Sequence, residues 1–256
     1  MALDLDRQNL FRRRYAAAHP GWRESGQVYE ATVRQYAHTH ARILDVGCGR
    51  GGVVELLHGQ VALAVGVDPD RLSLVEHRAP AVCRAAGLME RLPFPDESFD
   101  LVVCSWVLEH LARPQRAFDE VSRVLQSHDP ARGRPGGRMV FLTPNTWHPL
   151  AWANRVLGRV GVWQGRLVQR LYGRVEADTF PVIHRANTRR RITRLARAAG
   201  LEPVAFYVVG DPTYLAFNEP LYRLAVLAER LTPRWMKVHL IGDLVKKCPC
   251  EISGNV

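Results

Sequence analysis

Short apolar runs alternate with amphipathic stretches along most of the chain. The runs are five to eight residues long, which is the length of a strand rather than of a helix. Strands are predicted over residues 42–46, 61–67, 84–88, 100–105, 138–143, 203–209 and 238–245. Helices are predicted over residues 29–36, 71–79, 108–125 and 187–199. This alternation predicts an α/β fold in which helices cover both faces of a parallel sheet.

Two of the predicted helices carry start signals. Pro114 suits a first helical turn after His110, because proline lacks the N–H that a first turn leaves unbonded. Asn187 is predicted to cap the helix that begins at Thr188. We expect residues 1–40 to form a helical segment that precedes the sheet.

A glycine-rich turn follows the first predicted strand. Its four glycines are Gly47, Gly49, Gly51 and Gly52. Such a turn lets the backbone approach a ligand closely, and a helix that opens after it offers free N–H groups to polar ligand atoms. Asp68 ends the second strand, where nucleotide-binding sheets place a carboxylate against ribose hydroxyls. The pattern predicts a site for a nucleoside-containing cofactor.

The residue before this turn narrows the choice of cofactor. Residues 47–52 satisfy the dinucleotide spacing G-x-G-x-x-G, which alone is weak evidence. Asp45 lies two residues before the first glycine, where a carboxylate repels a pyrophosphate and attracts an ammonium or a sulfonium. Together with Asp68, it favours S-adenosylmethionine (SAM) and disfavours an NAD-dependent oxidoreductase.

Three sequence blocks carry a resemblance to a known family. They are the D-x-G-x-G turn, residues 88–112 (LMERLPFPDESFDLVVCSWVLEHLA) and residues 136–145 (GGRMVFLTPN). In this order they resemble the class I SAM-dependent methyltransferases, of the small-molecule type related to the ubiquinone and menaquinone biosynthesis enzymes. The resemblance implies a Rossmann-like, seven-stranded, mostly parallel sheet with helices on both faces and an antiparallel edge strand. The rival interpretation is a different nucleotide-binding α/β domain.

The resemblance also implies which residues contact the methionine part of SAM. Gly47 and Gly49 would pass close to it, and Asp45 would direct its amine through water or backbone. Ser105, just past the fourth strand, would offer its backbone carbonyl to the ammonium.

Other residues are implied at the nucleoside. Asp68 would accept hydrogen bonds from both ribose hydroxyls, while Met89, through its backbone N–H, and Glu90 would border the adenine. Many relatives carry an aspartate where this chain has Leu88. We therefore expect adenine recognition to rest on backbone groups and apolar packing.

His110 is the candidate catalytic residue. A histidine titrates near working pH and can accept a proton from an acceptor hydroxyl. The competing interpretation is that His110 orients the helix start and fills the pocket wall. It is the preferred one, because histidines commonly serve as hydrogen-bonded structural residues. An acidic phenol or a carboxylate acceptor would need no base.

Composition bounds the organisation of the chain. With 256 residues, 47% of them apolar, we expect a single domain, residues 1–256, with an insertion at about 146–186. We expect neither a membrane span nor a signal peptide. The odd number of cysteines, five, predicts a reducing, cytoplasmic setting, and Cys248 and Cys250 suggest no metal site.

Charge is concentrated in the second half of the chain. Residues 1–128 carry 15 basic and 16 acidic residues, whereas residues 129–256 carry 20 and 9. Eleven arginines lie within residues 155–197. An insertion at this place in an α/β sheet forms a substrate wall, so it predicts a basic lid over an anionic or lipid-like acceptor, or a surface resting on anionic membrane lipid. A solvated arginine-rich face is the equally weighted alternative.

These observations predict a SAM-dependent methyltransferase that acts on the oxygen, nitrogen or carbon of a small organic acceptor. An RNA-directed methyltransferase is an alternative on charge alone, since the pI is about 9.9, but no RNA-binding module is recognisable. A non-catalytic protein that binds SAM or a partner on the same fold is the other alternative, because a fold does not fix a function.

Overall fold

The computed structural model describes residues 5–129, 133–149, 151 and 182–247. Its helices and strands are α1 (Leu5–Ala18), α2 (Ser25–Arg34), β1 (Arg42–Val46), α3 (Gly52–Leu57), β2 (Leu63–Asp68), α4 (Arg71–Val75), β3 (Cys83–Ala86), β4 (Leu101–Ser105), α5 (Pro114–Val124), β5 (Arg138–Pro144), α6 (Arg189–Ala198), β6 (Leu201–Val209), α7 (Glu219–Leu231) and β7 (His239–Lys246). Most of the predicted basic lid, and the Cys248–Cys250 pair, lie outside the described residues.

The strands form one sheet in the order β3-β2-β1-β4-β5-β7-β6. The pairs β3–β2, β2–β1, β1–β4 and β4–β5 are parallel. At one end of β7, Lys246 donates its N–H to the carbonyl of Gly137; beyond the other end, Asn145 donates to the carbonyl of Val238. Strand β7 therefore runs antiparallel to β5, and the expected mostly parallel sheet with an antiparallel edge is confirmed.

The central strands place the candidate site. Strands β1 and β4 are buried along nearly their whole length, as expected for strands covered on both faces. In the β1–β4 register Val46 lies opposite Cys104, and in the β1–β2 register it lies opposite Val67. The carboxyl ends of β1, β2 and β4 therefore meet at one edge of the sheet, immediately before the loops that carry the candidate residues.

Two compact units are distinguished within the chain. One comprises Met1–Ser25, Pro144–Val182 and Val208–Leu240, and the other comprises Gly26–Thr143, Ile183–Tyr207 and Ile241–Val256. The second unit contains β1 to β4 and every residue of the candidate site. None of the helices in the described ranges is long and apolar enough to cross a membrane.

The first unit has an aromatic core of its own. The ring of Phe11 stacks on that of Tyr222, with 4.5 Å between centroids, and Tyr15 meets the indole of Trp22 edge-on at 5.1 Å. A guanidinium nitrogen of Arg12 lies 3.1 Å from the buried carboxylate of Asp211. These contacts join α1 to the chain around α7.

The predicted helix 108–125 is interrupted. Leu108–His110 forms a 3-10 turn, and α5 begins at Pro114, the predicted start signal. A continuous α-helix would need the Arg113 N–H to donate to the Glu109 carbonyl. Instead the Arg113 N–H donates to the Glu90 carboxylate, and the Glu109 carbonyl accepts from the N–H groups of Ile183 and His184. Long-range hydrogen bonds thus replace the helical ones.

Three other helix predictions need correction. Helix α4 ends at Val75 rather than at residue 79, because the buried His77 ring hydrogen-bonds to the Gly51 carbonyl at 2.9 Å and turns the chain. The cap of α6 is Thr188, whose hydroxyl accepts from the Arg191 N–H, and not Asn187. Helix α7 was not predicted at all, since its leucines lie on one side and Tyr222 and Ala225 on the other, so that its apolar residues do not form a single stripe.

Gly242 in β7 is expected to tolerate no side chain. A Cβ added there would lie 2.3 Å from Cζ of the fully buried Phe141, whereas a Cβ at Gly59 would meet nothing within 4 Å. We expect Gly242→Ala to lower the free energy of unfolding by about 1–3 kcal/mol, the usual cost of overpacking a core. Denaturant unfolding should show Gly59→Ala within about 0.5 kcal/mol of the parent. Equal midpoints for the two variants would contradict this packing.

Candidate functional site

The glycine turn is closed by backbone hydrogen bonds. The Gly47 N–H donates to the Val67 carbonyl at 2.7 Å, and the Gly51 N–H donates to the Cys48 carbonyl at 2.9 Å. Gly47 has φ +78° and Gly49 has φ +52°, in the left-handed region that favours glycine. The turn therefore depends on glycine for its conformation as well as for its lack of side chains.

The two glycines differ in what surrounds them. A Cβ added at Gly47 would lie 2.4 Å from Cγ2 of Val107, so this glycine lets the segment after β4 pack against the turn. A Cβ added at Gly49 would meet nothing within 4 Å. The turn is thus bounded on one side by the protein and faces open space at Gly49, where a ligand can approach its backbone.

Asp45 binds the start of the helix that follows the turn. Its buried Oδ2 accepts hydrogen bonds from the N–H groups of Val53 at 3.0 Å and Val54 at 3.4 Å. A Cβ added at Gly52 would lie 2.4 Å from this oxygen, so the chain passes very close to the carboxylate. Burial raises the pKa of Asp45 to about 7, although the two N–H donors oppose the shift. The predicted role of Asp45 toward the cofactor amine stays a prediction.

Asp68 fixes the turn from the neighbouring strand. Its Oδ2 accepts from the Gly49 N–H at 2.9 Å, and its Oδ1 accepts from the Asp70 N–H at 2.8 Å. A carboxylate offers about four acceptor positions, so each oxygen keeps capacity for another donor. This leaves Asp68 able to accept two hydroxyl groups, as its predicted ribose role requires.

The residues predicted at the adenine lie in the turn after β3. Met89 is buried, and the carbonyl of the exposed Leu88 accepts from the Arg91 N–H at 2.9 Å. Glu90 is buried as well, and its carboxylate accepts from the Arg113 N–H. The structure thus gives Glu90 a contact with the start of α5, while the adenine roles of Met89 and Glu90 stay predictions.

The segment after β4 has a strained backbone. Ser105 ends the strand, and the next residue, Trp106, adopts φ +60°. Its N–H donates to the Leu142 carbonyl at 2.9 Å, which holds the residue in this conformation. Left-handed conformations of non-glycine residues are uncommon and cluster at functional sites. Nothing in the sequence signals this conformation.

His110 lies in the 3-10 turn of the same segment. The residue is half-buried, and its N–H donates to the Val107 carbonyl at 2.9 Å. Its neighbour Glu109 is buried, and the Glu109 carboxylate accepts from the Thr143 hydroxyl at 3.2 Å. That hydroxyl in turn accepts from the Asn187 amide. Glu109 therefore supports this turn from inside the protein, and the choice between a basic and a structural His110 stays open.

Nothing in the sequence indicated that Tyr29 in α2 is a candidate site residue. Its hydroxyl is buried and has no hydrogen-bond partner among the described residues. Burial, and to a lesser degree the nearby Asp45 carboxyl, raises the pKa of this hydroxyl well above its usual range. Buried polar groups in proteins nearly always have a partner, so a ligand atom or a water is expected at this position. A tyrosine on an amphipathic helix carries no sequence signal for such a role.

In the part of the chain that the structure describes, no group of three or more His, Cys, Asp or Glu side chains is close enough to hold a metal ion.

Comparison with known proteins shows that the chain is similar to methyltransferases. Residues 44–130 match the family described as "Methyltransferase domain". The chain is 34% identical over 121 residues to a probable S-adenosylmethionine-dependent methyltransferase of Mycolicibacterium smegmatis, covering 46% of this chain and 44% of that protein. It is 33% identical over 134 residues to the demethylmenaquinone methyltransferase of Symbiobacterium thermophilum, covering 46% and 50%. The chain spans about half the length of these curated relatives.

Two further similarities extend over most of the chain. It is 27% identical over 220 residues to the phthiotriol/phenolphthiotriol dimycocerosates methyltransferase of Mycobacterium leprae, covering 79% of this chain and 74% of that protein. The geranyl diphosphate C-methyltransferase of Streptomyces coelicolor, solved with S-adenosyl-L-homocysteine, superposes with a TM-score of 0.55 at 15% identity, covering 86% and 77%. At this low identity, the similarity to the Streptomyces coelicolor enzyme shows a shared Rossmann-like fold and no more.

Asp45 should make stability depend on pH. Its pKa is raised from 3.8 to about 7 in the folded protein, so between these values the folded state holds a proton that the unfolded state has lost. Stability therefore falls as pH rises through this window, by up to about 4 kcal/mol from this group alone. We expect Asp45→Asn to remove that fall, as measured by denaturant unfolding from pH 4 to pH 8. Parallel profiles for the parent and the variant would rule out a buried Asp45 that titrates there.

Proposed function

We propose that this chain, which matches a methyltransferase domain family over residues 44–130, transfers a methyl group from SAM to the oxygen, nitrogen or carbon of a small organic acceptor. The observation that carries the proposal is the glycine turn, which faces open space at Gly49 and is tied to the Asp68 carboxylate. A turn of this kind at the carboxyl ends of parallel strands is where α/β sheets bind nucleosides.

The residues present fit the cofactor. The remaining acceptor capacity of Asp68 suits the two ribose hydroxyls, and the unpartnered hydroxyl of Tyr29 suits a polar ligand atom near Asp45. Ser105, which ends β4 next to this turn, would offer its carbonyl to the ammonium. When bound, the cofactor supplies the activated methyl group on a sulfonium. The task of the protein is to orient that group and to exclude water.

Two residues after β4 are proposed to act near the methyl group. Trp106 is held in a strained conformation, and aromatic faces attract a sulfonium. His110 lies one turn further on, and it would take the proton of a hydroxyl acceptor. With an acidic phenol or carboxylate acceptor, His110 would serve only to shape the wall of the site.

A lipid-like or anionic acceptor is favoured within this proposal. The Mycobacterium leprae relative, which aligns with this chain over three quarters of its own length, is named for phthiotriol and phenolphthiotriol dimycocerosates. The arginines of residues 155–197 would attract the anionic group. Methylation of RNA is a second candidate, supported only by the net charge of +10. A non-catalytic binding role is another, supported only by the fold.

A cytoplasmic location belongs to the same proposal. Cys48, Cys83 and Cys104 are free thiols in the structure, and a reducing compartment keeps thiols in this state.

Removing the charge of Asp68 should weaken cofactor binding. We expect Asp68→Asn to raise the dissociation constant for SAM by about 10- to 100-fold, since a hydrogen bond to a charged group contributes about 1.5–3 kcal/mol. Isothermal titration calorimetry of the full chain with SAM and S-adenosylhomocysteine measures this. Asp70→Asn is the matched control, because Asp70 carries the same charge two residues further on and its carboxylate caps α4.

The two ways in which this experiment can fail have different meanings. If the unaltered protein binds neither compound, the proposed function is wrong. If it binds SAM and Asp68→Asn binds it equally well, the ribose is elsewhere and the assignment of Asp68 alone is wrong.

The arginines of the basic segment should affect turnover of the acceptor but not the affinity for SAM. We expect replacement of Arg166, Arg170 and Arg174 by glutamine to lower turnover at limiting acceptor about tenfold or more, because an anionic acceptor loses its attraction. Release of S-adenosylhomocysteine with a panel of hydroxylated lipids and isoprenoid quinols measures turnover, and calorimetry should give an unchanged SAM affinity. Glutamine at the exposed Arg13, Arg23 and Arg116 controls for net charge. If turnover is undiminished in the first variant, these arginines form a solvated surface without a role toward the acceptor.

A further inference from the structure

Helix α7 has a buried face and, opposite to it, an exposed apolar face. Tyr222, Ala225 and Glu229 form its buried face. On the opposite side, Leu224, Leu227 and Leu231 are 61%, 54% and 76% exposed. Their spacing of three and four residues aligns them in one stripe along the helix. Single exposed leucines are common on protein surfaces, but an aligned stripe on the outer side of a helix indicates an interaction surface.

Two exposed tryptophans lie near the end of the helix: Trp235 follows it by four residues, and Trp147 contacts Trp235. Trp235 is 59% exposed and Trp147 is 56% exposed, and their rings meet edge-on with 5.9 Å between centroids. The Asn145 amide donates to the carbonyls of Trp235 at 2.9 Å and Lys237 at 3.0 Å. The two indoles are therefore presented by a hydrogen-bonded turn rather than by a free loop. We call the three leucines and two tryptophans the Leu/Trp face.

The charges beside this face are positive. Arg230 lies along the flank of the stripe and Arg234 precedes Trp235, and both are exposed. The two acidic residues of α7 are engaged elsewhere: Glu219 pairs with Arg14 and Arg223, and Glu229 pairs with Lys237. Among the described residues, neither Arg230 nor Arg234 has a carboxylate within ion-pair distance, so the face presents uncompensated positive charge.

We propose that the Leu/Trp face binds the surface of an anionic lipid bilayer, with its leucines and indoles in the headgroup region. A helix with exposed apolar residues beside arginines suits the membrane interface, and tryptophan is enriched there. The arginines match the negative headgroups. A second copy of the chain fits less well, because both copies would bring exposed positive charge at Arg230 and Arg234 to the contact. The proposal does not depend on methyl transfer.

Vesicle binding by the full chain tests the proposal. Cosedimentation with vesicles of phosphatidylglycerol and phosphatidylcholine should show binding that weakens as salt rises, and much weaker binding to pure phosphatidylcholine. We expect the variant Leu224→Gln/Leu227→Gln/Leu231→Gln to bind the anionic vesicles at least tenfold more weakly. Arg230→Gln and Arg234→Gln should each weaken binding about fivefold.

A matched control separates this face from exposed apolar residues in general. Leu56→Gln/Leu72→Gln/Val75→Gln removes three exposed apolar side chains from the other compact unit and should bind vesicles like the unaltered protein. Circular dichroism should confirm that both triple variants are folded, as expected for surface substitutions.

Three outcomes would overturn the proposal. The first is that the unaltered protein does not bind anionic vesicles, and the second is that the α7 variant binds them undiminished. The third is that light scattering finds a dimer which the α7 variant dissociates, because the face would then be an interface between copies.

Discussion

The carboxylate of Asp45 holds the end of β1 to the first turn of α3, and the geometry of the candidate site follows from this contact. Because Oδ2 of Asp45 accepts from Val53 and Val54, the chain must reverse within residues 47–52, which demands glycine at Gly47, Gly49 and Gly52. Asp68 fixes the same turn from β2. Two carboxylates on neighbouring strands thus hold the backbone open at Gly49, where the cofactor is proposed to bind.

The second part of the site depends on hydrogen bonds between segments distant in sequence. The Glu90 carboxylate accepts a hydrogen bond from the Arg113 N–H, and the Glu109 carbonyl accepts from the N–H groups of Ile183 and His184. These contacts end the 3-10 turn that carries His110 and link it to the turn after β3. A change at Glu90 is therefore expected to reach the turn that carries His110 through Arg113.

The sequence was sufficient to predict the strands, but not the long-range hydrogen bonds and packing that connect the segments between them. Strands β1, β4 and β5 are buried apolar runs, and their predicted bounds agree with the structure to within about two residues. The break before α5 could not be predicted, since its cause is Glu90, which is 23 residues away. Likewise Asp45, Asp68 and the glycines were recognisable from their spacing, whereas the strain at Trp106 and the burial of the Tyr29 hydroxyl depend on packing that no local pattern records.

Two buried polar groups of the candidate site are unfavourable in the free protein. A buried carboxyl with a raised pKa at Asp45 and an unpartnered hydroxyl at Tyr29 both cost stability in the free protein. Asp45 lies near the carboxyl end of β1 and Tyr29 lies near Asp45, while the buried residues of β4 and β5 are almost all apolar. Because natural sequences depart from internal consistency chiefly at functional sites, the concentration of these costs around one glycine turn is itself an argument that the turn binds a polar ligand.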